Sequence, residues 1–374
     1  MYCQKFDNIF LCNMAFVWKQ FTRTSPSLLR QSLLSTASRC HSTERPVNPG
    51  DGFVGKDFLT LRDFSATDIR HLLWVAQDLK TRIKIQKERI TPLSGKSAAL
   101  IFQKRSTRTR TSSETGFALL GGHPAFLSAS DVHLGVSETI HDTAKVLSGL
   151  VDLILLRCDK HEEVEELAKH ASVPVVNGLS ETFHPLQTLA DILTMKEHFA
   201  SRYASLDGLN VAWVGDGNNI IHSLLMGCLP LGINMRVATP KGYELFPNVA
   251  AYADLLANKH STEFLVTNDP LEAVRGANVI VTDTWISMGQ EEEKAARLKA
   301  FEGYQVTSKM CEEAASDWVF LHCLPRKQEE VADEVFFSPR SLVYQEAENR
   351  KWTVMAVMLS LLGQHTPTTE QPRF

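Results

Sequence analysis

Ser97-Ala-Ala-Leu-Ile-Phe102, Gln103-Lys-Arg-Ser-Thr-Arg-Thr-Arg110 and Thr111-Ser-Ser-Glu-Thr-Gly-Phe-Ala-Leu-Leu120 follow one another without a break. The first block is an uninterrupted apolar run and predicts a buried strand. The last predicts a helix stopped by Gly121-Gly122. The middle block therefore lies where a strand hands over to a helix N-terminus, whose free N–H groups and dipole favour an anion. Lys104, Arg105, Arg108 and Arg110 add charge there, and Ser106, Thr107 and Thr109 add hydroxyl donors. Guanidinium forks and hydroxyls suit phosphate oxygens. The alternative is a solvated basic turn, but four cations within seven residues repel one another unless an anion joins them.

Outward from this corner the pattern repeats. A helix begins at Ser65, with Ile69, Leu72, Leu73, Ala76, Leu79 and Ile83 on one face. Downstream, strands are expected at Pro124–Leu127, Leu153–Leu156 and Val173–Val176, with helices at Glu138–Gly149 and Glu162–His170. A second series has strands at Asn210–Val214, Asn234–Ala238, Phe264–Val266, Asn278–Thr282 and Val319–Leu321. Its helices fall at Leu186–Phe199, Ile220–Pro230 and Glu346–Leu362. Strands separated by single helices predict βαβ units. The expected class is α/β, with two doubly wound parallel-sheet domains and a cleft between them, where ligands meet strand C-termini.

Residues 43–183 would form the first domain, completed by the last helix (346–364), and residues 184–345 the second, before a tail at 365–374. Residues 1–42 are of another kind, rich in Ser, Thr, Arg, Leu and Phe. They carry Lys5, Lys19, Arg23, Arg30 and Arg39 against Asp7, a charge of +4 that leaves −8 for the rest of a chain with net charge −4. That is transit-peptide composition, the alternative being an unstructured tail. An acidic body with one basic segment favours a small anionic ligand over nucleic acid. The seven cysteines (Cys3, Cys12, Cys40, Cys158, Cys228, Cys311, Cys323) show no C-x-x-C spacing, which argues against a structural zinc site or disulfide framework. The apolar run Trp352–Leu362 is too short to span a bilayer, so no membrane insertion is expected.

Four further constellations carry candidate chemistry. His184-Pro185-Leu-Gln187 places an imidazole and an amide at a helix start, and Arg157 ends a strand of Leu and Ile, where it needs an anionic partner. Gly215-Asp-Gly-Asn-Asn219 opens like a dinucleotide fingerprint but has Ile220 where the third glycine belongs and no acid about 20 residues on. The amides of Asn218 and Asn219 could instead hold a carboxylate. Asp283-Thr-Trp-Ile-Ser287-Met288 puts an acid at a strand end, suited to an ammonium group or to capping a helix. In His322-Cys323-Leu-Pro-Arg326, Cys323 is read as a nucleophile, a metal ligand with His322, or a buried filler. With Asp283, it could also orient an amine. Arg350 lies near the start of the last helix, either in the site or on the surface.

Together these segments resemble the transcarbamylase family. Ser106-Thr107-Arg108-Thr109-Arg110 is similar to its carbamoyl-phosphate motif, and His184-Pro185-x-Gln187 to its second motif. Asp283-x-Trp285-x-Ser287-Met288-Gly289 and His322-Cys323-Leu324-Pro325-Arg326 are similar to motifs of its ornithine branch. The likeness covers about residues 55–365, and the N-terminal segment resembles the transit peptide of mitochondrial animal members. It departs at Gln103, where the family often has Glu, and at Thr111, where it often has Leu.

The resemblance implies carbamoyl transfer from carbamoyl phosphate to the δ-amine of L-ornithine in the mitochondrial matrix, with no cofactor and no metal. It implies that Ser106, Thr107, Arg108, Thr109, Arg110, Arg157, His184, Gln187, Cys323, Leu324 and Arg350 hold carbamoyl phosphate. His133 would reach a neighbouring subunit of a homotrimer. Asn219, Asp283, Ser287 and Met288 would hold ornithine, and Arg157, His184, Asp283 and Cys323 would act in catalysis. The rivals are a transcarbamylase with aspartate as acceptor, a nicotinamide dehydrogenase and a non-catalytic binding subunit.

Overall fold

The computed structural model describes residues 52–130, 138–286, 291–363 and 365–372. The helix at Ser65 is α1 (Ala66–Leu79). Ser65 and Asp68 form a reciprocal capping box that satisfies its first N–H groups, and Lys80–Ile85 continues as a π-helical turn. Then follow β1 (Ser97–Phe102), α2 (Arg108–Leu119), β2 (His123–Ser128), α3 (Ile140–Ser148), β3 (Leu153–Arg157), α4 (His161–His170) and β4 (Val175–Leu179). These four strands form a parallel sheet in the order β2-β1-β3-β4. The strands of the sheet's centre, β1 and β3, are almost wholly buried, as expected where both faces are covered.

The second half contains α5 (Pro185–Phe199), β5 (Asn210–Val214), α6 (Asn219–Cys228), β6 (Asn234–Ala238), α7 (Pro247–His260), β7 (Phe264–Thr267), α8 (Pro270–Val274) and β8 (Val279–Thr282). It continues with α9 (Lys294–Ala300), α10 (Ser308–Cys311), β9 (Val319–His322), α11 (Asp333–Phe336) and α12 (Val343–Leu362). Its sheet is also parallel, in the order β7-β6-β5-β8-β9. The chain reverses its direction of winding between β1 and β3 in one sheet and between β5 and β8 in the other. Crevices at such reversals, beyond the strand C-termini, are where α/β sheets bind ligands. The fold class is therefore the expected one.

The helix α12 packs against α1, α2 and α5 and reaches β9. Trp352, Met355, Val357 and Leu359 are buried on it, so the last helix closes the first half of the molecule while touching the second. No helix among the described residues is long and apolar enough to cross a membrane.

Three differences from the sequence expectation have local causes. The helix α2 starts at Arg108 because Ser106 Oγ accepts the Thr109 N–H at 3.2 Å and Thr107 is already helical. α12 starts at Val343, placing Arg350 two turns inside the helix. α7 has no counterpart in the sequence pattern because its apolar face is thin, with only Val249, Ala253 and Ala257 buried. His133, Ser287, Met288 and the N-terminal segment 1–42 lie outside the described residues.

Candidate active site

The end of β3 delivers Arg157, the first turn of α2 delivers Thr109, and the buried face of α12 delivers Arg350. Thr109 Oγ1 accepts from Arg350 Nη2 at 3.0 Å and from Arg157 Nη1 at 3.5 Å. Arg350 Nη1 donates to Gln187 Oε1 at 2.5 Å. Arg157 is 7% exposed and Arg350 3%, so Arg350 is no surface residue. Among the described residues neither has a carboxylate within ion-pair distance, and the Nε of each lacks a hydrogen-bond partner. Burial, with the neighbouring Arg108 cation, lowers Arg157 to about 10, and burial likewise lowers Arg350 to about 10; both stay charged at neutral pH.

His184 caps the start of α5, where its backbone N–H donates to Ser223 Oγ at 2.7 Å. Its imidazole is buried with Nδ1 unpartnered. Burial and then the charges of Arg350, Arg157 and Arg108 push its pKa well below the usual value, so it is neutral and able to donate a neutral hydrogen bond. Arg108 Nη2 donates to the Leu324 carbonyl at 2.5 Å, which ties the corner of the first sheet to the loop after β9. Leu324 has φ +63° and precedes a cis Pro325.

Arg110 is not part of this cluster. Its guanidinium lies 3.4 Å over the Phe126 ring and its Nε donates to Glu114 at 3.1 Å. Lys104 pairs with Asp159 at 2.6 Å, and Arg105 and Thr107 are exposed. The two unusual positions lie at the margin: Gln103 Oε1 accepts the Asp159 N–H at 2.8 Å, and Thr111 is exposed.

Across the cleft, Asp283 follows β8 and is 6% exposed. It accepts from Asn218 Nδ2 at 3.0 Å and from Cys323 Sγ at 3.0 Å and caps no helix among the described residues. Burial raises its pKa. Burial, the Asp283 charge and that hydrogen bond push the Cys323 thiol well above its usual value. Cys323 is therefore a protonated donor in the free protein rather than a thiolate nucleophile.

Asp283, His322 and Cys323 approach closely enough to suggest a metal site, but both His322 ring nitrogens are occupied. Nδ1 accepts the Leu324 N–H at 2.9 Å, so Nε2 carries the proton and donates to Glu330 at 3.1 Å. His322 and Glu330 hold the loop in shape, a role the sequence did not reveal.

The glycine loop also has another purpose. A Cβ at Gly217 would lie 2.4 Å from the Glu244 backbone, so glycine is there for close chain packing. Asn218 Oδ1 caps α6 by accepting from Ile220 N at 3.0 Å, and Asn219 Nδ2 donates to the Ser180 carbonyl at 2.6 Å. The helix start is thus used internally, which argues against a pyrophosphate there.

The chain is thus an α/β protein of two parallel sheets, with buried cations beyond one and a buried acid beyond the other. The chain belongs to the aspartate/ornithine carbamoyltransferase family: the carbamoyl-P binding domain of that family matches residues 56–197, and the Asp/Orn binding domain matches residues 207–361. It is 56% identical over 320 residues to the mitochondrial ornithine transcarbamylase of Gallus gallus, covering 86% of this chain and 89% of that protein. It is 57% identical over 320 residues to the mitochondrial ornithine carbamoyltransferase of Aquarana catesbeiana, covering 86% and 90%. Among solved structures, the ornithine carbamoyltransferase of Pyrococcus furiosus superposes with a TM-score of 0.80 at 44% identity, covering 84% of this chain and 99% of that one.

Proposed function

We propose that the protein transfers the carbamoyl group of carbamoyl phosphate to the δ-amine of L-ornithine, giving L-citrulline and phosphate. The observation that carries this reading is the pair of buried guanidiniums, Arg157 and Arg350, which share Thr109 and have no acidic partner among the described residues. The Asp283–Cys323 pair stands across the same cleft.

In this reading Ser106, Thr107, Arg108 and Thr109 grip the phosphate with Arg157, Gln187 and Arg350, and the Leu324 carbonyl orients Arg108. The δ-amine attacks the carbamoyl carbon, a C–N bond forms, and the tetrahedral oxyanion collapses with cleavage of the C–O bond to phosphate. Thr109, Arg157 and neutral His184 point donors at that oxyanion, and one such donor is worth about 3–4 kcal/mol. The amine must be neutral to attack, so its proton passes toward Asp283, with the leaving phosphate as final acceptor. Asp283, Asn219, Ser287 and Met288 hold ornithine, with Cys323 beside its δ-amine. Clamping both substrates supplies a further share through proximity.

The finer assignments belong to the same reading. Residues 1–42 act as a transit peptide to the mitochondrial matrix, as suits the mitochondrial names of the relatives. Residues 43–183 with the last helix (346–364) are the carbamoyl-phosphate domain and 184–345 the ornithine domain, before the tail at 365–374. The active assembly is a homotrimer in which His133 reaches a neighbour's site. The test is citrulline formation by purified protein from carbamoyl phosphate with ornithine, with aspartate, or with neither. Citrulline from ornithine alone is expected, and its absence from folded protein overturns the reading. In Arg108→Ala, carbamoyl phosphate binding should weaken while ornithine binding holds.

A further inference from the structure

Two carboxyl groups outside the motifs lie beneath the anion cluster. Asp191 stands one turn after Gln187 on α5, and Glu346 one turn before Arg350 on α12; each is 1% exposed. Gln187 Nε2 donates to Asp191 Oδ1 at 2.7 Å and to Glu346 Oε1 at 2.8 Å, while its Oε1 accepts from Arg350. Glu346 Oε2 accepts the His322 N–H at 2.8 Å, immediately before Cys323. One carboxyl group thus touches the phosphate side through Gln187 and the acceptor side through the start of the His322–Cys323 turn.

Asp191 and Glu346 thus converge on one amide nitrogen, which holds the two buried carboxyls side by side. Two full negative charges that close in a buried site cost more than one, so such a pair retains a proton. The groups facing the pair do not remove that cost. Arg350 from α12 is a cation acting on both, whereas Asp283 from the end of β8 adds negative charge at Asp191. After burial, the first cause, the pair adds to what keeps nearby thiols protonated, Cys228 on α6 through Asp191 and, behind Asp283, Cys323 through both carboxyls.

We propose that Asp191 and Glu346 form a singly protonated carboxyl pair that positions Gln187 and Arg350 for the phosphate and fixes the start of the Cys323 turn. The role rests on the carbamoyl-transfer reading; the proton does not. Burial, as the first cause, pushes Asp191 up to about 7 and Glu346 well above the usual carboxylate range, in keeping with one retained proton at neutral pH. These are positioning residues, since neither is expected to touch substrate.

The test combines infrared spectroscopy with binding of inorganic phosphate by calorimetry. Asp191→Asn can accept from Gln187 and donate to an ionised Glu346, so it keeps the hydrogen bonds without the shared proton. The carbonyl stretch of a protonated carboxylic acid should appear at pH 7 in the difference spectrum of wild type minus the Asp191→Asn, Glu346→Gln double variant, which has neither carboxyl group. Its absence overturns the proton. Glu346→Ala, which strips acceptors from Gln187 and His322, should weaken phosphate binding about tenfold, with Asp191→Asn within about threefold of wild type. Equal phosphate affinity in Glu346→Ala and wild type overturns the positioning role. If Glu346→Ala does not fold, Glu346→Gln, which keeps the volume and one acceptor, is titrated instead under the same criterion. A wild-type protein that shows the carbonyl band but makes no citrulline would refute the transfer reading and leave the proton standing.

Discussion

The two sheets end in opposite ways. Beyond the first, Arg157 and Arg350 are buried cations with unpartnered nitrogens and no ion-paired carboxylate among the described residues. Beyond the second, the charged groups pair with one another: Asp283 accepts from Asn218 and Cys323, Asp216 pairs with Arg297 at 2.9 Å, and His322 bonds Glu330. One end is incomplete until an anion arrives, whereas at the other the acid already has donors that an incoming amine must displace. An uncompensated charge in a buried site, as at Arg157, costs folding energy, so the first end contributes affinity at the expense of stability.

The largest expected effect breaks the first end. Arg157→Gln should lower kcat/KM for citrulline formation about 10²–10³-fold yet raise the melting temperature in phosphate-free buffer, because a like charge is removed. A lower melting temperature would mean that Arg157 is stabilised within the free protein. Phosphate at about 100 times its Kd should stabilise wild type by about 2.7 kcal/mol, and Arg157→Gln by much less.

Next in size, Asp283→Asn should cut kcat about 10²-fold while phosphate affinity holds, since Asp283 belongs to the second end. A parallel loss of phosphate affinity would erase the distinction between the ends.

A third prediction concerns His222, which donates to the Thr182 carbonyl at 3.1 Å and accepts the Phe246 N–H at 3.3 Å. Burial lowers it to about 4. The unfolded chain then binds a proton that the folded chain refuses, so stability falls as pH drops through about 6.5 toward 4, by up to about 3 kcal/mol. Denaturant titrations of His222→Gln should show a flatter acid limb; an unchanged limb would place the acid sensitivity elsewhere.

The smallest effect is Arg110→Ala, a stacked and exposed cation worth about 0.5–1 kcal/mol of stability, with KM for carbamoyl phosphate nearly unmoved. A large rise in KM would return Arg110 to the cleft.

Most strand spans and the parallel class were legible because β1, β3, β5, β8 and β9 hold apolar runs beside polar turns, whereas β4, expected at Val173–Val176, runs Val175–Leu179, its polar Asn177 and Gly178 hiding the true end. The site residues that were legible sit where a strand ends and a motif begins. Asp191, Glu346 and Glu330 were not, because an acid inside an amphipathic helix or a loop looks solvent-facing until its partners are known. Arg110 misled for the converse reason. On α2 it stands one residue past Thr109, about 100° around the helix from it, and only its contact with Phe126 reveals where it points. The boundaries of α2 and α12 shifted because hydroxyl capping and burial extended each helix upstream of its apolar pattern.

The position of α12 has a consequence for how the molecule is made. The ribosome delivers the four strands of the first sheet long before Val343, yet that half is covered by α12 and receives Arg350 from it. A nascent chain therefore holds the apolar faces of α1, α2 and α5 without their lid until every strand of both sheets has been synthesised. Arg350 arrives with the same helix that seals the core, so the anion cluster gains its second buried guanidinium only as the fold closes.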